Sequence, residues 1–178
     1  APDEAIRTAL LPEGTLAVRW RPSVQEGHLD PTLKVSSDAL FDVGEDGLHL
    51  IWAVDLDFGR AERDAFIFVV PNDYLVQAVE GPNVRGWRAH TTKVSDAETE
   101  TQQVEVSLLK PARESGKVTI VLHRTMWIEP GSDSTFPVPV ARVPGAVLHK
   151  GELTIRRSPL LTLKAQHAGG IYRTDIPD

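Results

Sequence analysis

The chain contains no cysteine. That excludes a disulfide framework, thiolate-bound zinc, iron–sulfur clusters and a cysteine nucleophile. It has no apolar run near the roughly 18 residues that cross a bilayer as a helix, so no membrane insertion is expected. Positive charge is in deficit, with 19 Lys and Arg against 25 Asp and Glu and a formal net charge of −6. Nucleic-acid binding needs a basic face, and this balance argues against it. An excess of this size suffices to keep a domain soluble.

Catalytic signatures are missing too. There is no Gly-x-Ser-x-Gly elbow and no glycine-rich loop leading from a strand into a helix. The six histidines, His28, His49, His90, His123, His149 and His167, show no His-x-His, His-x-x-x-His or His-Glu-x-x-His spacing. Strands can bring distant histidines together, but each is expected as a solvent-facing strand or loop residue. No signal peptide is visible and the first residue is Ala1, so a mature protein or an excised fragment is expected.

What is present is alternation. From Leu33 the odd positions Leu33, Val35, Ala39, Phe41 and Val43 are apolar. From Leu48 the even positions Leu48, Leu50, Trp52, Val54, Leu56 and Phe58 are apolar. Gly44-Glu45-Asp46-Gly47 separates the two runs, so they predict a long antiparallel hairpin with one apolar face. A slip of one residue would put Trp52 and Phe58 in water.

The stretch Asp64 to Ala89 reads as three short strands. Phe66 to Val70 ends at Pro71-Asn72-Asp73, Tyr74 to Glu80 ends at Gly81-Pro82-Asn83, and Val84 to Ala89 follows. Further strands are expected at Thr15 to Trp20, Val104 to Leu108, Lys117 to Thr125, Gly151 to Arg157 and Leu160 to His167. Ile171 to Asp178 is expected to be a last strand or a tail. Ala1 to Arg7 permits a helical turn. Arg21 to His28, Gly59 to Arg63, Thr91 to Gln103, Pro111 to Gly116, Glu129 to Ser134 and Ala168-Gly169-Gly170 are expected as loops or turns. Phe136 to Val143 has prolines at alternate positions and fits an edge strand or an extended arm. The sum is an all-β fold, an antiparallel β-sandwich of roughly ten strands with no substantial helix. A chain of 178 residues fits a single domain over 1–178 and buries roughly 70% of its unfolded surface.

Two groups of residues invite a chemical reading. Asp55-x-Asp57-x-Gly59, with Glu62 and Asp64 behind it, places carboxylates at the alternate spacing a calcium loop uses. The plainer reading is a solvated strand face, since Arg60 and Arg63 intervene. The four tryptophans are the other group. Trp52 lies on the apolar side of the hairpin and is expected in the core. Trp87, flanked by Arg85 and Arg88, and Trp127, beside a Gly/Pro loop, could stack on a sugar ring. Strand alternation alone would turn Trp87 inward and its arginine neighbours outward.

Three segments carry a resemblance: FIFVVPNDYLVQAVEGPNVRGWRA, VEVSLLKPARESGKVTIVLHR and FPVPVARVPGAVLHKGELTI. Over about Asp64 to Ile155 the chain resembles β-sandwich segments of large, poorly characterised cell-envelope proteins of planctomycete-like bacteria. The likeness implies one module of a longer exported protein, placed outside the cell, in the periplasm or on the cell surface. It carries over no active site. The expectation is therefore a non-catalytic structural or interaction module without a cofactor, monomeric in isolation, with a protein or glycan of the envelope as partner. The alternatives are a carbohydrate-binding module using Trp87, Trp127 and the neighbouring arginines, and an accessory domain of an envelope enzyme.

Overall fold

The computed structural model describes residues 5–9, 15–20, 30–93, 100–127, 133–168 and 171–174. The loops expected over Arg21 to His28 and at Gly169-Gly170, and most of that over Glu129 to Ser134, lie outside the described residues. The loop expected over Thr91 to Gln103 is strand on both sides of residues 94–99, which lie outside them: Thr91 to Lys93 pair with Glu100 to Gln102, so the polar residues there stand on a paired backbone. The side chain of Trp20 lies outside them as well.

Among the described residues there are ten strands and no helix. They are β1 (Ala5–Ala9), β2 (Thr15–Trp20), β3 (Asp30–Val43), β4 (Gly47–Pro71), β5 (Leu75–Glu80), β6 (Val84–Lys93), β7 (Glu100–Thr125), β8 (Ala146–Arg157), β9 (Lys164–Ala168) and β10 (Ile171–Thr174). The main sheet runs β10-β2-β8-β3-β4-β7-β5, with β6 also paired to β7. β1 and β9 form a separate antiparallel pair, from Ala5↔Ala168 to Ala9↔Lys164. The helical turn expected near the N-terminus is thus a strand from Ala5 onward. A segment this short cannot sustain a helix alone, and pairing with β9 satisfies its backbone instead.

The predicted hairpin is present in the predicted register. Val43 pairs with Leu48 and Lys34 with Asp57, and Gly44 N donates to Gly47 O across the turn at 2.9 Å. β4 then continues well past the point where the sequence suggests a charged connection. Residues 47–57 pair with 115–125 of β7, and residues 65–71 pair with 101–107. Between these stretches both strands bend together. Gly59 has φ of 63° and Glu114 has φ of 69°. Gly59 costs nothing in that left-handed region, while Glu114 carries the steric penalty of a non-glycine residue there. The expected turns at Gly59 to Arg63 and Pro111 to Gly116 are therefore one corner in two paired strands. Each segment carries breaking residues, but the sequence does not reveal that they face one another.

The corner folds β4 and β7 back on themselves and makes two layers. One layer holds β10, β2, β8, β3, the first half of β4, the second half of β7, and β5. The other holds the second half of β4, the first half of β7, and β6. Aromatic side chains join them. The Trp52 and Phe68 rings meet edge to face at 5.7 Å, and those of Phe58 and Phe66 lie 5.6 Å apart. A Cβ on Gly116 would stand 2.9 Å from two carbons of the Phe66 ring, so that ring packs where only glycine leaves room. Leu48, Leu50, Trp52, Val54, Leu56 and Phe58 of β4 are all buried, as are Val104, Val106, Val118, Ile120 and Leu122 of β7.

One pairing departs from an all-antiparallel sheet. β8 lies parallel to β3, from Lys34↔Leu148 to Val43↔Arg157. Parallel neighbours need a crossover, and the proline-rich segment 133–143 supplies it. That segment pairs with the second layer through one isolated bridge among the described residues, in which Val69 N donates to Arg142 O and Arg142 N donates to Val69 O, each at 2.8 Å, while its Phe136 ring meets Phe41 of β3 edge to face at 6.3 Å. The pairing stays that short because Pro137, Pro139 and Pro144 have no amide hydrogen to give. It fits the extended arm expected over Phe136 to Val143.

Candidate functional site

The outer face of the large layer is built by register. Side chains across paired strands fall into rows, and each row has its own chemistry. The first runs Arg156, Asp42, His49, His123, Leu75. The second runs Thr154, Leu40, Ile51, Val121, Ala78. The third runs Glu152, Asp38, Ala53, Thr119, Glu80. The fourth runs Lys150, Ser36, Asp55, Lys117.

The second row is the unusual one. Ile51 is 41% exposed although it sits in the middle of the sheet. Leu40, Val121 and Ala78 beside it are half-buried. The rows on either side carry charge. In the first, Arg156 Nε and Nη2 donate to the two carboxylate oxygens of Asp42 at 2.7 and 2.8 Å. That hydrogen bond holds the guanidinium even more firmly in its charged form than usual. The His49 and His123 rings stack with centroids 4.3 Å apart and planes 23° apart. Asp38 and Glu80 put negative charge in the third row, and Asp55 pairs with Lys117 at 3.3 Å in the fourth.

Below the fourth row the face falls into an open cleft of about 650 Å³. Lys34, Asp57, Lys117 and Lys150 are among its polar lining residues, and Leu56, Phe66, Leu108 and Leu148 among its apolar ones. Pro82 and Asn83 of the β5–β6 turn form part of the wall. Asn83 fixes that turn to β7, since Asn83 Nδ2 donates to Lys110 O at 2.7 Å and Lys110 N donates to Asn83 Oδ1 at 3.1 Å. The cleft therefore has a braced rim.

The residues singled out from the sequence do not gather into one site. Trp87 shares its register position with Val106, on the inward side of β6, and packs partly buried against the core. Arg88 stands opposite Glu105 on the outward side, and Arg85 is exposed in the irregularity between Val84 and Gly86. The indole and the arginines thus present no common platform. Trp127 lies just past the end of β7 and is 74% exposed. Trp52 is buried as expected. Asp55 and Asp57 share the outer face of β4, Asp57 Oδ1 accepting from Gly59 N at 3.3 Å, while exposed Asp64 comes after the corner. Among the described residues no group of three or more His, Asp or Glu is placed to hold a metal ion.

Two contacts were invisible to spacing rules. One is the His49–His123 stack. The other is Ser37 Oγ, 3.3 Å from His149 Nε2. A serine beside a histidine is the geometry of an activated hydroxyl. Here it is a packing device. Ser37 is only 4% exposed and faces the sandwich interior, and the Trp52 ring lies 6.1 Å from that of His149. Burial, and then the Arg142 cation, push the His149 pKa down to about 4. Such an imidazole is a weak general base at neutral pH. Neither Ser37 nor His149 lines the cleft.

No protein-family model matches the sequence, and no curated protein does. Among solved structures the chain is similar to a non-cellulosomal cohesin from the hyperthermophilic archaeon Archaeoglobus fulgidus, at 12% identity and a TM-score of 0.33, over 68% of this chain and 91% of that one. It is also similar to a chain in the Coh-OlpC-Doc435 type I cohesin–dockerin complex from Clostridium thermocellum, at 12% identity and a TM-score of 0.34, over 77% of this chain and 99% of that one.

Proposed function

We propose that this chain is a non-catalytic interaction module that docks a protein partner on the outer face of its large layer. The observation that carries this reading is the apolar row Leu40, Ile51, Val121 and Ala78, open to solvent at Ile51 and bordered on both sides by charged rows. An apolar strip with a polar rim is the anatomy of a protein interface. The strip stands on a sheet whose other face is the core, so little order has to be gained on binding. The Ser37–His149 pair, inside the sandwich and beside a cation, gives no support to hydrolysis.

A place outside the cytoplasm, in the envelope or secreted, belongs to the same proposal and rests on the resemblance of residues 64–155. Fractionation of the full-length protein tests it. Docking is tested by capturing partners with the wild-type chain and with Ile51→Glu, then titrating the purified partner against both. Ile51→Glu should weaken binding by roughly 30-fold or more, the loss of one central contact worth about 2 kcal/mol. Equal affinity for both chains would move the interface elsewhere. Glycan binding that disappears in Trp127→Ala would replace this reading with carbohydrate recognition, for which the exposure of Trp127 is the supporting feature.

A further inference from the structure

We propose that His49 and His123 form a two-histidine site for a divalent transition-metal ion of the nickel, copper or zinc type. The two residues are direct cross-strand partners on β4 and β7. Their rings already touch, with centroids 4.3 Å apart. Imidazole nitrogen is the ligand these metals favour, at about 2.0–2.1 Å for zinc. Two nitrogens on one such ion stand no more than about 4 Å apart, twice the bond length. The stacked rings lie close enough that turning them out of the stack brings one nitrogen of each toward a shared ion. Both residues are half-exposed on the outer face, so water can complete the coordination shell.

The surroundings favour a cation over an anion only locally. Asp42 is the partner of His49 on the other side, in β3, with its carboxylate engaged by Arg156. The site thus has two protein ligands and an already neutralised neighbour. That predicts ordinary chelation by imidazole, open to exchange, and little affinity for calcium or magnesium, which demand oxygen.

The test uses the full chain with no histidine tag. Nickel, copper and zinc chlorides are titrated by calorimetry, with magnesium and calcium as comparisons. One ion should bind, with copper tighter than nickel, and magnesium and calcium should give no heat. His49→Gln and His123→Gln should each weaken nickel binding by on the order of tenfold or more. His90→Gln, on exposed β6, should leave it unchanged. Thermal melts of the variants check that folding is intact, and broadening of the His49 and His123 resonances by substoichiometric nickel locates the ion even if one variant misfolds. Binding that survives both substitutions, or broadening at other histidines first, overturns the proposal.

Discussion

The two faces of one strand, β4 before its corner, obey different rules. Its even positions from Leu48 to Phe58 are buried without exception. Its odd positions, His49, Ile51, Ala53, Asp55 and Asp57, are half or fully exposed and differ in charge, polarity and shape. The inner face works as a set, because its apolar side chains share one buried core with those of β3 and β7, and volume matters more than identity. The outer face works by rows that run across strands. A residue there acquires its meaning from partners on β3 and β7, and nothing along β4 itself announces it. Core and candidate interface are thus read in perpendicular directions.

The largest test of that contrast is at Trp52. Its ring is 1% exposed and meets both Phe68 and His149. Trp52→Ala removes the largest fully buried side chain among the described residues, and should lower the unfolding free energy by about 3–5 kcal/mol in a denaturant titration. A loss below about 1 kcal/mol would mean that the inner face is not a close-packed core.

His149, beside Ser37, is a titratable group on the inner side, and it makes stability depend on pH. Its pKa falls from 6.5 to about 4, through burial first and the Arg142 cation second. Between those values the unfolded chain takes up a proton that the folded chain refuses, so acid favours unfolding. The contribution is whole above about pH 6.5 and is lost as the pH drops through about 4. The shift corresponds to at most about 3 kcal/mol. Melts at a series of pH values should therefore show a shallower acid slope for His149→Gln than for the wild type. Identical slopes would place His149 in contact with solvent, and the inner face would lose its distinction at that point.

Much of this was legible in the chain. The hairpin, its register and the burial of Trp52 follow from period-two alternation, because one face of each strand must be dry. The inward turn of Trp87 follows the same rule. What was not legible depends on pairing between distant segments. The corner needs Gly59 and Glu114 to lie opposite one another, and each alone looks like an ordinary turn. The parallel entry of β8 beside β3 depends on where the proline-rich arm crosses. The His49–His123 stack and the Leu40–Ile51–Val121 row exist only once β3, β4 and β7 are in register. The calcium-like spacing of Asp55 and Asp57 was open to two readings for the opposite reason. In a strand that spacing aligns two carboxylates on one face, but it does not close a loop around an ion.

The smallest expected effect on stability sharpens the comparison most. Ile51 stands between Leu50 and Trp52, both buried, yet faces the other way. Ile51→Glu places its charge in water next to Leu40 and Val121, and surface changes of this kind stay within about 0.5 kcal/mol. The same charge one residue earlier, at Leu50, would enter the core unpaired and be far more costly. If Ile51→Glu melts like the wild type while partner binding is lost, the outer row is an interface laid over a core that does not need it. If instead the melt falls by several kcal/mol, the row is part of the core's support, and the docking face has to be sought elsewhere, with the braced cleft beside Asn83 the next place to probe.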